Sequence, residues 1–179
     1  MAAINAPACR AAADLVAPAP GSAVLEIGFG PGVLLKLLAA RMRWGRLAGP
    51  EASPLMLKTA ARRLRGSAVD LDLRLGLGPE LPWPSDFFDA VAYLHAFQFW
   101  ADPAGEFAEV VRVLEPGGAL VMALRDHSRL EDRSWLPNPA SRSGDEVGET
   151  LRLLADAGFA AEKAGSVRGS PMLIARKSV

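Results

Sequence analysis

The sequence predicts a three-layer α/β sandwich, and three observations lead there. Short apolar runs alternate with stretches of helical periodicity. A glycine-rich turn follows the first apolar run at once. Half of the 179 residues are hydrophobic and 22% are charged, which suits one full-sized core. Ahead of the first strand, Cys9, Ala12, Ala13 and Val16 recur at helical spacing from about Asn5 onward, until Pro18, Pro20 and Gly21 stop the pattern. Residues 1–20 therefore read as a leading helix or lid segment, and 21–179 as a single domain. Ala23 to Ile27 is mostly apolar, as in a strand buried on both faces of a parallel sheet. After the turn Gly28 to Gly32, Leu34, Leu37 and Leu38 give a helix its inward stripe, with Pro31 and Gly32 in or near its first turn.

The second unit begins with a strand over about Arg46 to Pro50; Pro50 belongs at its very end, because it cannot donate to a ladder. Its helix is capped by Ser53 and carries Leu57, Ala60, Ala61 and Leu64 on one face before Gly66. Val69 to Leu75 alternates apolar with charged residues, so one face meets the core and the other meets water, as near a sheet edge. Phe88 to Leu94 is the next apolar run. Asp102-Pro103 then starts a helix with Phe107, Val110, Val111 and Leu114 inward, and Pro116-Gly117-Gly118 ends it. Ala119 to Leu124 reads as a buried strand, and Arg125 to Gly144 as a long polar loop of the kind that forms lids or binding loops. Val147, Leu151 and Leu154 mark a last helix; Phe159 to Val167 and Pro171 to Ala175 mark two closing strands. In such sheets a ligand lies beyond the carboxyl ends of the strands, where the strand order reverses. That rim carries Gly28 to Gly32, Glu51, Leu77, Gly78, Leu94 and His95.

Composition narrows the function classes. Twenty Lys and Arg balance twenty Asp and Glu, so no global field favours nucleic acid or an anionic membrane. The single cysteine, Cys9, excludes an internal disulfide framework and a cysteine-based zinc cluster, and no metal site is expected. No run reaches the roughly 18 apolar residues of a membrane span. Arg10 and Asp14 interrupt the Ala-rich start before a secretory apolar region forms, so an untargeted cytoplasmic protein is the expectation.

The glycine turn is Gly28-Phe29-Gly30-Pro31-Gly32, preceded by Glu26. Its third glycine follows the first too closely for a nicotinamide dinucleotide fingerprint. Glycines there let the backbone pass close under a ligand, and Glu26 is placed to act on a cationic group directly or through water. The alternative is an ordinary strand-to-helix turn. Glu51 ends the second strand, where a carboxylate accepts both hydroxyls of a ribose or decorates the positive end of a helix; beside the glycine turn, the ribose role is preferred. His95 is the candidate general base, since an imidazole pKa near about 6.5 suits proton removal from a hydroxyl or amine. Its alternative role is to fix a loop by one hydrogen bond, and His127 is a weaker candidate. Phe97, Phe99 and Trp100 either wall an acceptor pocket or anchor the next helix.

Val24 to Gly32, Gly49 to Met56, Leu81-Pro82-Trp83, Phe88-Asp89-Ala90-Val91 and Arg112-Val113-Leu114-Glu115-Pro116-Gly117-Gly118 together resemble the class I S-adenosylmethionine-dependent methyltransferases. The nearest likeness is the small-molecule type of ubiquinone and menaquinone biosynthesis. It runs in order from about residue 20 through Ala157-Gly158-Phe159 to the final strand. The resemblance implies a Rossmann-like seven-stranded sheet of order 3-2-1-4-5-7-6 with the last strand antiparallel. It implies that Gly28, Gly30 and Gly32 pass beneath the methionine portion of the cofactor, that Glu26 helps hold its ammonium, that Glu51 takes the ribose hydroxyls and that Ala52 lies against adenine. The family's acidic residue after the third strand is replaced here by Leu77, followed by Gly78. One such lost hydrogen bond is worth roughly 0.5–1.5 kcal/mol, a severalfold loss of affinity.

The family tetrapeptide of Asp or Asn, two prolines and an aromatic, which marks many adenine and glutamine methyltransferases, is absent after the fourth strand; Tyr93-Leu94-His95-Ala96 stands there. With neutral charge, that argues against nucleic-acid substrates. The expectation is methyl transfer from S-adenosylmethionine to a small molecule by single displacement, releasing S-adenosylhomocysteine. Either residues 1–20 and the loop Arg125 to Gly144 close over the acceptor, or a second subunit, as in a homodimer, completes the pocket. A non-catalytic cofactor-binding or scaffold subunit is the alternative, favoured by Leu77. A nicotinamide oxidoreductase is disfavoured by the glycine spacing.

Overall fold

The computed structural model describes residues 2–76, 80–94, 102–124 and 146–178. Its strands are β1 (Ala23–Ile27), β2 (Arg46–Glu51), β3 (Asp70–Leu75), β4 (Phe88–Leu94), β5 (Leu114–Ala123), β6 (Phe159–Val167) and β7 (Ser170–Lys177). Its helices are α1 (Ala2–Val16), α2 (Val33–Arg41), α3 (Pro54–Arg63), α4 (Pro103–Val113) and α5 (Glu146–Asp156). The strands form one sheet of order β3-β2-β1-β4-β5-β7-β6. Neighbours from β3 to β5 run parallel, and β7 is antiparallel to both β5 and β6. The order reverses between β1 and β4, so the crevice outside their carboxyl ends is the place this topology offers a ligand. The alternating strand β3 lies at the sheet edge, as its half-polar pattern requires; Asp70 and Arg74 are exposed, Leu71, Asp72 and Leu73 are half-buried, and Leu75, expected on the core face, is exposed because the strand ends there.

Each face of the sheet has its own apolar cluster. Leu25 and Ile27 of β1, Val91 and Tyr93 of β4 and Leu120 and Met122 of β5 pack with Phe107, Val110 and Leu154 of α4 and α5. The opposite face carries Val24, Ala90, Ala92, Ala119, Val121 and Ala123, packed with residues of α1, α2 and α3. Small side chains on β4 and β5 let α1 come down close to the sheet; its Ala12 and Ala13 are fully buried. The period of two in β1 puts Glu26 on this α1–α2 face, with Val24.

Two boundaries sharpen the sequence reading and a third differs from it. Pro31 and Gly32 precede α2; Gly32 is its N-cap, in a left-handed conformation (φ 72°). Strand β2 runs through Pro50 to Glu51, because Pro50 sits opposite Arg74 in the register and contributes its carbonyl, which accepts the Gly28 N–H at 3.0 Å. Pro116-Gly117-Gly118 is not the segment that ends α4; it lies within β5. Helix α4 stops at Val113, and β5 starts at once with Leu114 opposite Phe88. The register then shifts so that Ala90 faces Ala119, and the Pro-Gly-Gly segment is absorbed as a bulge, with Gly117 at φ 77°. The start signals hold: Ser53 accepts the Met56 N–H at 3.4 Å, and Asp102 accepts the Gly105 N–H at 3.1 Å. Among the described residues, no helix is long and apolar enough to cross a membrane.

Candidate functional site

The turn after β1 is built around three glycines at positive φ, Gly28 (67°), Gly30 (53°) and Gly32 (72°), a region that L side chains avoid. The space beside them differs. A Cβ on Gly30 would meet no atom of the described residues within 4 Å, so that position borders space they leave open. A Cβ on Gly32 would lie 2.8 Å from the Ala60 Cβ, so its bareness lets the start of α2 rest on α3. Arg63 of α3 donates to the Pro31 carbonyl at 2.6 Å, a second tie between α3 and the turn. Phe29, between the first two glycines, is buried over Gly49 of β2; a Cβ on Gly49 would lie 2.7 Å from that ring and strike the Glu26 carbonyl oxygen.

Glu51, at the end of β2, is 8% exposed and holds two turns together. One carboxylate oxygen accepts the Gly30 N–H at 2.8 Å and the other accepts the Ser53 N–H at 2.9 Å. The second of these donors lies at the start of α3, where unpaired N–H groups and the helix dipole favour a negative charge. Each oxygen keeps a further lone pair for a hydroxyl donor. Glu51 thus joins the glycine turn to α3 and remains competent to bind a diol.

Glu26 is 4% exposed, and its Oε2 has no hydrogen-bond partner among the described residues. Burial pushes its carboxyl well above the usual carboxylate range, with Glu51 adding to the rise and a hydrogen bond from the Leu35 N–H, in the first turn of α2, opposing it. A buried acid without a counter-charge among the described residues, in electrostatic reach of the Glu51 carboxylate that holds the Gly30 N–H, is a feature that a ligand cation would complete. Cys9 of α1 lies near enough to feel Glu26; its thiol is pushed up to about 12, chiefly by burial.

Of the residues expected at the rim, Glu26, Gly28, Gly30 and Glu51 come together at the ends of β1 and β2. Ala52 is exposed just beyond β2, and Leu94 closes β4, half-buried on the α1–α2 face. Leu77, Gly78, His95, Phe97, Phe99, Trp100, His127 and the loop Arg125 to Gly144 lie outside the described residues. Sequence reasoning overlooked Gly49 and Arg63. An isolated glycine inside a strand signals close backbone approach, and Gly49 carried that signal; Arg63 reads as one of several basic residues late in a helix, with nothing to single it out.

The Leu81-Pro82-Trp83 motif and Arg112 also find a structural partner in one another. Arg112 of α4 donates to the carbonyls of Leu81 and Trp83, each at 2.8 Å, while Glu109 accepts the Leu81 N–H at 2.9 Å. From the other side, the Trp83 indole N–H donates to Asp72 at 2.8 Å, and the Arg74 guanidinium lies 4.8 Å from the Trp83 ring centroid. The connection from β3 to β4 is therefore pinned between the sheet edge and α4.

Comparison with known proteins converges on the same place. Residues 25–122 match a family model described as a methyltransferase domain. The chain is 32% identical over 105 residues to the uncharacterized methyltransferase YdaC of Bacillus subtilis, covering 59% of this chain and 57% of that protein. It is 31% identical over 113 residues to demethylmenaquinone methyltransferase of Thermus thermophilus, covering 63% and 51%. A crystal structure of an S-adenosylmethionine-dependent methyltransferase from Aquifex aeolicus superimposes with a TM-score of 0.74 at 20% identity, over 96% of this chain and 89% of that one. The chain spans about half the length of the curated relatives it matches. With the family model covering both the glycine turn and the strand-order reversal, the chain belongs to the class I S-adenosylmethionine-dependent methyltransferase family.

Proposed function

We propose that this chain transfers the methyl group of S-adenosylmethionine to a small-molecule acceptor by single displacement. The observations that carry the reading are the buried Glu26 oxygen, without a partner among the described residues, and the Gly30 position that those residues leave open, with Glu51 holding the Gly30 N–H and lying within electrostatic reach of Glu26. When bound, the cofactor supplies an electrophilic methyl on a cationic sulfonium. Glu26 takes the ammonium of its methionine portion, the backbone of Gly28 and Gly30, with Gly32 behind them, forms the shelf beneath that portion, and Glu51 accepts the ribose hydroxyls. Ala52 borders the adenine and Leu94 the rim, and Leu77 and Gly78 are proposed from the sequence alone as further cofactor-binding residues. Glu51 reaches the ribose with its remaining lone pairs while still fixed by Gly30 and Ser53, so the diol meets an acceptor already held in place.

Displacement at the methyl carbon depends on an in-line nucleophile and the exclusion of water more than on a dedicated acid. His95 is the proposed base for a hydroxyl or amine acceptor. The relatives named for demethylmenaquinone and trans-aconitate support a small organic acceptor. Calorimetric titration of the protein with S-adenosylmethionine, S-adenosylhomocysteine and NAD tests the reading: the two adenosyl ligands bind and NAD does not. Preferential binding of NAD would overturn it. For His95, an alanine replacement that leaves both the turnover rate and its pH profile unchanged would remove the base role.

A further inference from the structure

The unused chemistry of the site lies in the protonation of Glu26. Its carboxyl is enclosed by β1, β2, α1 and α2, and each neighbour leaves it without a cation. Glu51 on β2 is itself acidic and is occupied by two backbone N–H groups. On α1, Cys9 is an un-ionised thiol and Arg10 is exposed. On α3, Arg63 donates to the Pro31 carbonyl. Helix α2 offers the Leu35 N–H and the positive end of its dipole, which favour the anion. One backbone donor and half a helix charge do not replace the hydration shell that a fully buried carboxylate loses, and the second oxygen has nothing at all among the described residues.

We propose that Glu26 is a neutral carboxylic acid in the ligand-free protein and gives its proton to solvent as a cationic amine docks beside it, so that the site exchanges a proton for an ammonium. The identity of the amine as the adenosylmethionine α-ammonium rests on the proposed function; the proton state of Glu26 does not. The upward displacement of its carboxyl by burial agrees with this state. The consequence is selectivity by charge. A ligand with an ammonium at this point ionises Glu26 and gains a buried ion pair, whereas a neutral ligand leaves the acid as it is. Affinity for the ammonium ligand then rises with pH, by up to about tenfold per unit, until Glu26 ionises in the free protein. Affinity for an uncharged nucleoside stays flat.

The test is titration calorimetry of the intact protein with S-adenosylhomocysteine in pairs of buffers with unlike ionisation enthalpies, stepped from about pH 5 to 8, where the ligand's ammonium stays charged. The expected result is release that approaches one proton per ligand within that range. No release is expected for a neutral 5′-thioether of adenosine that lacks the amino-acid end. Difference infrared spectroscopy gives a second readout: a protonated-carboxyl band in the ligand-free protein, lost on ligand addition and absent from Glu26→Gln. Binding without proton release at any pH, or equal release by Glu26→Gln, overturns the proposal. Failure of S-adenosylhomocysteine to bind overturns the proposed function instead, and the infrared band of the ligand-free protein still decides the state of Glu26.

Discussion

Two glycines near the site, Gly30 and Gly49, lack a side chain for different reasons, and each reason gives a different mutational signature. At Gly30 none of the described residues occupies the Cβ direction, so Gly30→Ala costs about 1 kcal/mol, from its left-handed φ. If ligand passes there, S-adenosylhomocysteine affinity falls by about tenfold or more. Valine, with a branched Cβ at φ 53°, would add backbone strain and blur that comparison. At Gly49 the obstacle is the Phe29 ring and a strand carbonyl, so Gly49→Ala lowers stability by about 1–3 kcal/mol, read as a shift in the denaturation midpoint. A larger stability loss at Gly30 than at Gly49 would contradict these placements. Glu26 gives a prediction with a sign in pH. Its folded-state carboxyl lies above its unfolded value of 4.5, so folding binds a proton, and the stability that Glu26 contributes is present below that value and lost as pH rises through the folded one. Glu26→Gln therefore matches the parent near pH 4.5 and exceeds it toward neutral pH, by about 1–3 kcal/mol, while losing affinity for the amino-acid end of the ligand. Melting temperatures of both proteins across pH check this; a constant difference would mean that Glu26 does not titrate.

Elements are joined by single side chains, and those joints are the least legible feature of the sequence. Strand identities, the edge position of β3 and the caps at Ser53 and Asp102 followed from periodicity and local chemistry, because a strand's two faces or a helix's first turn write themselves into adjacent residues. The strand order came from the resemblance. The Pro116-Gly117-Gly118 segment was misread because Pro-Gly-Gly stops helices by local rules, whereas here partner strand β4 supplies a register shift that absorbs it as a bulge. The dual grip of Glu51 on Gly30 and Ser53, and that of Arg112 on Leu81 and Trp83, join residues distant in sequence, and no local pattern announces them. The second of these grips is directly testable. Arg112→Ala leaves two carbonyls and Glu109 without their donor and loosens the connection between β3 and β4, at a cost of about 1–3 kcal/mol. Arg112→Lys restores little, since an ammonium cannot span the two carbonyls and Glu109 with a planar fork. Amide exchange at Leu81 and Trp83 should accelerate in both variants; protection equal to the parent's would show that α4 does not hold the connection.

At the scale of the whole molecule, α1 belongs to the same apolar cluster as α2, α3 and the alanine-lined face of β4 and β5. Ala8, Cys9, Ala12 and Ala13 are all buried, and one of them, Cys9, lies within electrostatic reach of Glu26. Removing α1 would therefore uncover a core face and admit water to the one buried oxygen that lacks a partner among the described residues. The two effects have separate readouts. Loss of four buried small side chains, at about 0.8 kcal/mol per methyl-sized group, amounts to about 3 kcal/mol, or a fall in melting temperature of roughly 6–12 °C for a chain of this size. Hydration of Glu26 acts on pH dependence, since a solvated carboxyl returns toward its ordinary range and ionises before any ligand arrives. A chain beginning after Ala17 should accordingly melt earlier, and over the pH range in which the full chain expels a proton it should bind S-adenosylhomocysteine with little proton release. An unchanged melting temperature would make α1 a loosely attached cover. Undiminished proton release from the shortened chain would mean that α2 and β2 alone seal Glu26 from water.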